Sequence, residues 1–229
     1  DDVESRGLGD VYKRQVWNSA EEIAANPHFS DDAPGGIRIV DTNNDGSLTP
    51  EDRVALGTPY PDFTWGITNT FQIKDFDISF LIQGVQGITV LNGDVYYNET
   101  KKWNKKYTKN RWVSAEHPGD GKTPYQNVKT GHDLMLTDYP LQNASYACLR
   151  NFTVGYTLPA TAARKIKLSG VRFYVSGSNL LYIWGSGYKG INPESRMTSG
   201  NYSSAMISGY QRGGFPLTST ISAGFDINF

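Results

Sequence analysis

Cysteine is almost missing from this chain: Cys148 is the single one in 229 residues. An intrachain disulfide framework and a thiolate metal cluster are therefore excluded. Histidine is scarce too. His28, His117 and His132 stand on segments that read as loops, without a recognisable nucleophile beside them. Glu116 next to His117 reads as solvated loop rather than as a dyad, so an enzyme is the weakest of the functional classes. Charge of one sign is also lacking. The net charge of −1 gives no general attraction to nucleic acid or to an anionic surface. Long hydrophobic runs are absent, and a helical membrane span, which needs roughly 20 apolar residues, cannot be drawn. Hydrophobic residues make up 38% of the chain, below the roughly 45–50% of ordinary globular domains. None of this excludes a membrane barrel, whose strands alternate and so escape a hydropathy scan. No signal peptide opens the sequence. Residues 1–15, DDVESRGLGDVYKRQ, lack the alternation and aromatic content of the rest of the chain. They resemble a read-through string that recurs at the ends of metagenome-assembled sequences. They are set aside as non-native or disordered, and the chain is expected to be a fragment.

What is present is alternation. Residues 217–229 read LTSTISAGFDINF, with Leu217, Ile221, Ala223, Phe225, Ile227 and Phe229 at odd positions and Thr218, Thr220, Ser222, Gly224, Asp226 and Asn228 at even ones. A period of two predicts a strand with one apolar and one polar face. As a free soluble edge such a strand invites pairing with other chains. As the closing strand of a membrane barrel it has lipid on one side and a polar lumen on the other. Phe63, Trp65, Ile67, Phe71 and Ile73 alternate with threonines, glycine and glutamine, and after Lys74-Asp75 the pattern resumes with Phe76, Ile78, Phe80 and Ile82. Strands are expected at about 62–73, 75–86, 145–158, 170–184 and 217–229, with long irregular loops over 87–144 and 185–216. Connections alternate short and long, as in barrels with short periplasmic turns and long extracellular loops. The fold class is all-β: about five antiparallel transmembrane strands in residues 61–229, preceded by a loop region over 16–60.

That loop region carries DTNNDGSLTPED. Asp41, Asn43, Asp45 and Gly46 match the start of an EF-hand calcium loop. Calcium takes roughly six to eight oxygens, supplied by alternate side chains around a sharp glycine turn. Ser47 would offer its carbonyl, Thr49 the ninth position and Asp52 the twelfth. Two departures stand out. Asp52 is shorter than the usual glutamate, and the strand-like IRIV replaces the entering helix. An Asx-rich turn capping its own backbone amides is the other reading. Further on, KKWNKKYTKNRW places lysines around Trp103, Tyr107 and Trp112. Interleaved basic and aromatic residues can contact a glycan or protein, or simply pack a solvated loop; nucleic acid is the least favoured partner.

Several ordered motifs resemble the SusC/RagA family of TonB-linked outer-membrane transporters of Bacteroidetes. These are Asp41 to Gly46, Gly57 to Gly66 (GTPYPDFTWG), Lys74 to Asp77 (KDFD), Gln83 to Gly87 (QGVQG), ASYACLRNFTVGYTLP, and VRFYVSGSNLLYIWGSGYKGINPE. Cys148 departs from the pattern, in which arginine is common. The resemblance implies a plugged barrel of about 22 strands, of which this chain is the carboxyl-terminal part. It further implies TonB coupling through a segment outside the chain, a SusD-like surface lipoprotein partner, and import of oligosaccharides or peptides. A terminal strand with Phe225, Ile227 and Phe229 resembles the assembly signal of outer-membrane proteins. The competing reading is a secreted, calcium-dependent carbohydrate-binding β-sandwich.

Overall fold

The computed structural model describes residues 11–94, 109–125, 137–185, 187–195 and 209–229. In chain order the elements begin with β1 (Val11–Tyr12), β2 (Arg14–Val16), α1 (Ala20–Ala24), β3 (Ile37–Ile39) and β4 (Arg53–Val54). Then come β5 (Phe63–Ile73), β6 (Phe76–Gln86), β7 (Thr89–Asn92), β8 (Leu141–Asn143) and β9 (Tyr146–Thr157). The chain ends with α2 (Ala160–Lys165), β10 (Gly170–Trp184), β11 (Tyr210–Gln211) and β12 (Thr220–Asn228). The closing strand thus starts at Thr220, after Thr218 rather than before it.

The five long strands form one antiparallel sheet in the order β12-β10-β9-β6-β5. Residues directly opposite each other share a face. The register puts Phe71 opposite Ile78, Ile78 opposite Val154, Val154 opposite Val175 and Val175 opposite Ala223. One face is therefore a continuous apolar band. The other carries Thr70, Ser79, Thr153, Ser176 and Ser222 at successive strands. Phe63, Trp65, Phe71, Phe225 and Ile227 sort to the first face, and Thr64, Thr68 and Thr220 to the second. Both edges, β5 and β12, are open, so the sheet is a barrel wall that does not close on itself.

Burial inverts the usual order. Phe173 is 52% exposed, Phe225 65% and Ile221 75%, all on the apolar face. The buried hydrophobics lie mainly in the layer that the loops build. Val11, Val16, Trp17, Ile37 and Ile39 are buried around the first short strands. Val90, Ala144 and Tyr188 form a second cluster, with Ile88 and Trp184 packed on it. In the described part of the stretch set aside above, Val11–Tyr12 form β1 and Arg14–Gln15 open β2, with Val11 pairing with Val54 and Gln15 with Arg38. One sequence expectation changes here. The loops over 87–144 and 185–216 contain β7, β8 and β11, joined as a small sheet in the order β11-β7-β8. Strands of two to four residues carry too few alternations to be read from periodicity, and the β11–β7 pairing is parallel and distant in sequence.

Candidate functional site

The polar face of the sheet carries two arginine-centred networks. Near the short-turn end, Arg172 of β10 reaches across β9 to Asp77 of β6, Nε to Oδ1 at 3.0 Å and Nη2 to Oδ2 at 2.7 Å. Its remaining Nη1 meets Asp226 of β12 at 3.3 Å. The strand between has Gly155 at the crossing, and a β-carbon there would collide with Asp77 Oδ1. The glycine is a passage for the side chain. The Tyr174 ring lies 5.2 Å from the Arg172 guanidinium, a cation–π contact. One charged group thus ties three strands of the wall with bidentate geometry.

Toward the long-loop end, Arg150 sits at a β-bulge of β9, where the register slips against both neighbours. Counting back from Phe152 by twos would turn residue 150 to the apolar face. The extra residue reverses this and aims the guanidinium inward. Arg150 Nη1 donates to Asn179 Oδ1 and to the Tyr182 hydroxyl, both at 2.8 Å. Both terminal nitrogens engage the Glu194 carboxylate. Gln83, with its amide oxygen facing the guanidinium, accepts from Nη2 at 2.7 Å and Nε at 3.1 Å. Asn179 takes a positive φ of 55° to fit the bulge, a conformation that asparagine tolerates better than most residues. Glu194 belongs to the segment after β10, so this arginine fastens a loop to the wall. Cys148, two residues earlier, is buried on the same face opposite Gln83 and Tyr182.

Above the network, a cavity of about 350 Å³ is lined by Pro59, Pro61, Ile88, Tyr146, Arg150 and Glu194 among others. The loop layer is tied by polar contacts as well. Asn92 Nδ2 donates to Gln142 Oε1 at 3.1 Å, and the Tyr188 hydroxyl donates to Gln211 Oε1 at 2.7 Å. Asn92, Gln142 and Gln211 are all buried, and each has its partner.

The residues singled out for calcium fold as a turn. Asp41 Oδ1 accepts from Asn44 N (2.7 Å) and Oδ2 from Gly46 N (2.9 Å). Asp45 Oδ1 accepts from Ser47 N (2.7 Å), and Asn43 Oδ1 from Asp45 N (3.0 Å). Thr49 caps the short 3-10 turn Pro50–Asp52. Asp52 is fully buried and accepts from Thr49 N at 2.9 Å and Thr42 N at 2.8 Å. These bonds, Thr49 first, hold its carboxyl below the usual aspartate range against the opposing effect of burial. Among the described residues no group of three or more His, Cys, Asp or Glu side chains is gathered for a metal. Trp103 and Tyr107 lie outside the described residues. Trp112 turns inward: its indole fills the space over Gly35, and its centroid is 6.5 Å from that of Tyr125.

Asp77, Arg172 and Asp226 stand at polar-face positions of their strands. Arg172 and Asp226 are direct partners, while Asp77 is level with Gly155 and is reached on the diagonal. These charges were open to discovery from sequence. Arg150 and Glu194 were not, because the bulge breaks the count and the loop geometry is tertiary.

No family model matches the sequence. Individual relatives do. TonB-dependent receptor P26 of Formosa agariphila is 30% identical over 224 residues, covering 93% of this chain and 22% of the relative. TonB-dependent receptor P3 of the same organism is 30% identical over 206 residues, covering 87% and 19%. TonB-dependent receptor SusC of Bacteroides thetaiotaomicron is 27% identical over 157 residues, covering 68% and 15%. Among solved structures, the RagAB peptide transporter superposes with a TM-score of 0.66 at 18% identity, over 96% of this chain and 22% of that one. At that identity the likeness speaks for the fold. The chain spans about one fifth of the length of these relatives. With its barrel-wall sheet and these relatives together, the chain belongs to the SusC/RagA family of TonB-dependent receptors.

Proposed function

We propose that this chain supplies the carboxyl-terminal barrel strands of an outer-membrane transporter in a Gram-negative bacterium. The transporter imports oligosaccharides or peptides, is coupled to TonB through a part outside this chain, and works with a SusD-like lipoprotein at the cell surface. The segment has a structural role in transport and no catalytic one. A single observation carries the reading: one face of the sheet is an exposed apolar band, and the opposite face holds hydroxyls and ion pairs. In water such a band would be an aggregation surface; in a bilayer it is the lipid-facing wall. With both edges open, the five strands leave backbone groups unpaired, which lipid does not tolerate. Transport therefore belongs to the complete barrel.

Nitroxide labels test this directly. In the parent protein carrying Cys148→Ser, labels at Ile221→Cys, Ala223→Cys and Phe225→Cys should collide with lipid-dissolved oxygen. Labels at Ser222→Cys and Gly224→Cys should collide with a water-soluble nickel chelate. Loss of this two-residue alternation, with every position open to the chelate, would overturn the membrane reading. Phe225, Ile227 and the terminal Phe229 lie at the end of the outward face and are proposed as the assembly signal. Deleting Phe229 should lower the amount of parent barrel in the outer membrane, measured by heat-modifiable gel mobility.

A further inference from the structure

Positive charge is concentrated in one stretch of this nearly neutral chain. Lys101, Lys102, Lys105, Lys106, Lys109 and Arg111 fall within residues 101–115, which contain no aspartate or glutamate, while the whole chain carries −1. The described part of this stretch forms a built cleft. Residues 110–123 fold back on themselves, with Trp112 N donating to Thr123 O (2.8 Å) and Asp120 N to Asn110 O (2.9 Å). Gly119, at φ +67°, packs so close to the carbonyls of Asn110 and Arg111 that a β-carbon would strike them. The fold-back is anchored by Trp112 over Gly35 and by Tyr125 N donating to Gly35 O at 2.9 Å.

The cleft measures about 390 Å³ and is lined by Lys109, Asn110, Arg111, Val113, His117, Gly119 and Asp120. No salt bridge engages Lys109 or Arg111 among the described residues. The one carboxylate in the lining is spoken for. Asp120 accepts from Lys122 N at 2.9 Å, Thr123 N at 2.7 Å and Thr123 Oγ1 at 2.9 Å, bonds that brace the cleft wall. Among the described residues neither cation has an ionic partner, and the cleft adds an exposed imidazole.

We propose that this cleft binds the anionic substituents, sulfate or carboxylate, of an acidic polysaccharide outside the cell. The inference deepens the transporter reading and rests on it for the side of the membrane that the loop faces. Neighbouring charges on the ligand suit Lys109 and Arg111, which both line the cleft, and arginine offers a fork that matches sulfate and carboxylate oxygens. Trp112 is turned inward onto Gly35 and offers no stacking face to a neutral glycan. A peptide would want a strand edge or an apolar pocket. Within this fold-back the only bridge is the Ser114–His117 turn, and Val113 is the one apolar side chain in the lining. The same lack of apolar surface disfavours lipid.

The test uses the parent protein in detergent micelles, with dextran sulfate, unsulfated dextran, poly-L-glutamate and anionic lipid vesicles as probes. Dextran sulfate should bind with an affinity that falls as salt rises, and unsulfated dextran should not bind. Lys109→Gln with Arg111→Gln should weaken dextran sulfate roughly fivefold, as expected for removing two exposed ionic contacts. Lys74→Gln, in the tight turn at the opposite end of the sheet, should leave it unchanged. Equal affinity in the double variant, or tighter binding of poly-L-glutamate or vesicles, would overturn the proposal. Heat-modifiability of the same samples reports the barrel separately: a folded barrel that ignores dextran sulfate refutes the cleft alone, and no folded barrel refutes the transporter reading.

Discussion

Arg172 and Arg150 brace the same polar face, but they hold different things. Arg172, near the short turns, is clasped by carboxylates from two other strands, Asp77 and Asp226. Arg150, nearer the long loops, is clasped by Asn179 and Tyr182 of one strand, by Gln83 of another and by the loop residue Glu194. The first network needs regular register and a missing side chain at Gly155. The second needs irregular register, since only the bulge turns residue 150 inward. Regularity at one end keeps strands in line; irregularity at the other couples the wall to the loops above it. Turn-end charges therefore report on strand assembly, and loop-end charges on the ordering of the mouth.

The sharpest way to break this contrast is to block the passage. Gly155→Val should push the Arg172 side chain off Asp77 and destabilise the sheet by about 2 kcal/mol, the usual scale of overpacking. The parent barrel should then show a lower thermal midpoint of its heat-modifiable form, with the mouth unaffected. Arg150→Ala should act at the opposite end. It leaves Glu194 and Gln83 without their partner, at a local cost of about 1–3 kcal/mol. Hydrogen exchange should rise in residues 185–195 while β5 and β12 stay protected. If Arg150→Ala loosened β12 as much as Gly155→Val, the division of labour between the two ends would fail.

Two smaller effects sharpen the picture from the Asp/Asn turn. The folded carboxyl of Asp52 titrates below its ordinary 3.8. The stability it contributes is complete above that value and is lost as pH falls through the lowered one. Exchange of residues 40–54 should accelerate below about pH 4 in the native protein and show a weaker pH response in Asp52→Asn. Calcium has the smallest expected effect. With its carboxylates on the turn's own amides, millimolar calcium should leave the exchange of residues 40–54 unchanged. A slowing that Asp41→Ala abolishes would make the turn a cation site instead.

Much of the wall was legible because β alternation is local: each outward Phe or Ile in β5, β6, β10 and β12 announces its face by parity alone. The motif residues around Lys74 to Asp77 and Gln83 to Gly87 placed the hairpin in its family. The loop layer was harder to read. From sequence, Trp112 stood open between contacting a ligand and packing in its loop; it packs on Gly35, a residue far away in sequence whose lack of a side chain matters only once the two segments meet. Short strands such as β7 and β11 owe their existence to each other rather than to their own composition.

By itself the sequence determined the faces, the hairpin, the polarity of the wall and the family, because period, turn chemistry and motif spacing are properties of neighbouring residues. The tertiary structure alone decided what the charges hold. Arg150 points inward because of a bulge, Arg172 crosses β9 because Gly155 lets it pass, and Asp52 is buried because Thr42 and Thr49 close over it. Each depends on groups brought together from separate parts of the chain, and no local pattern encodes that meeting.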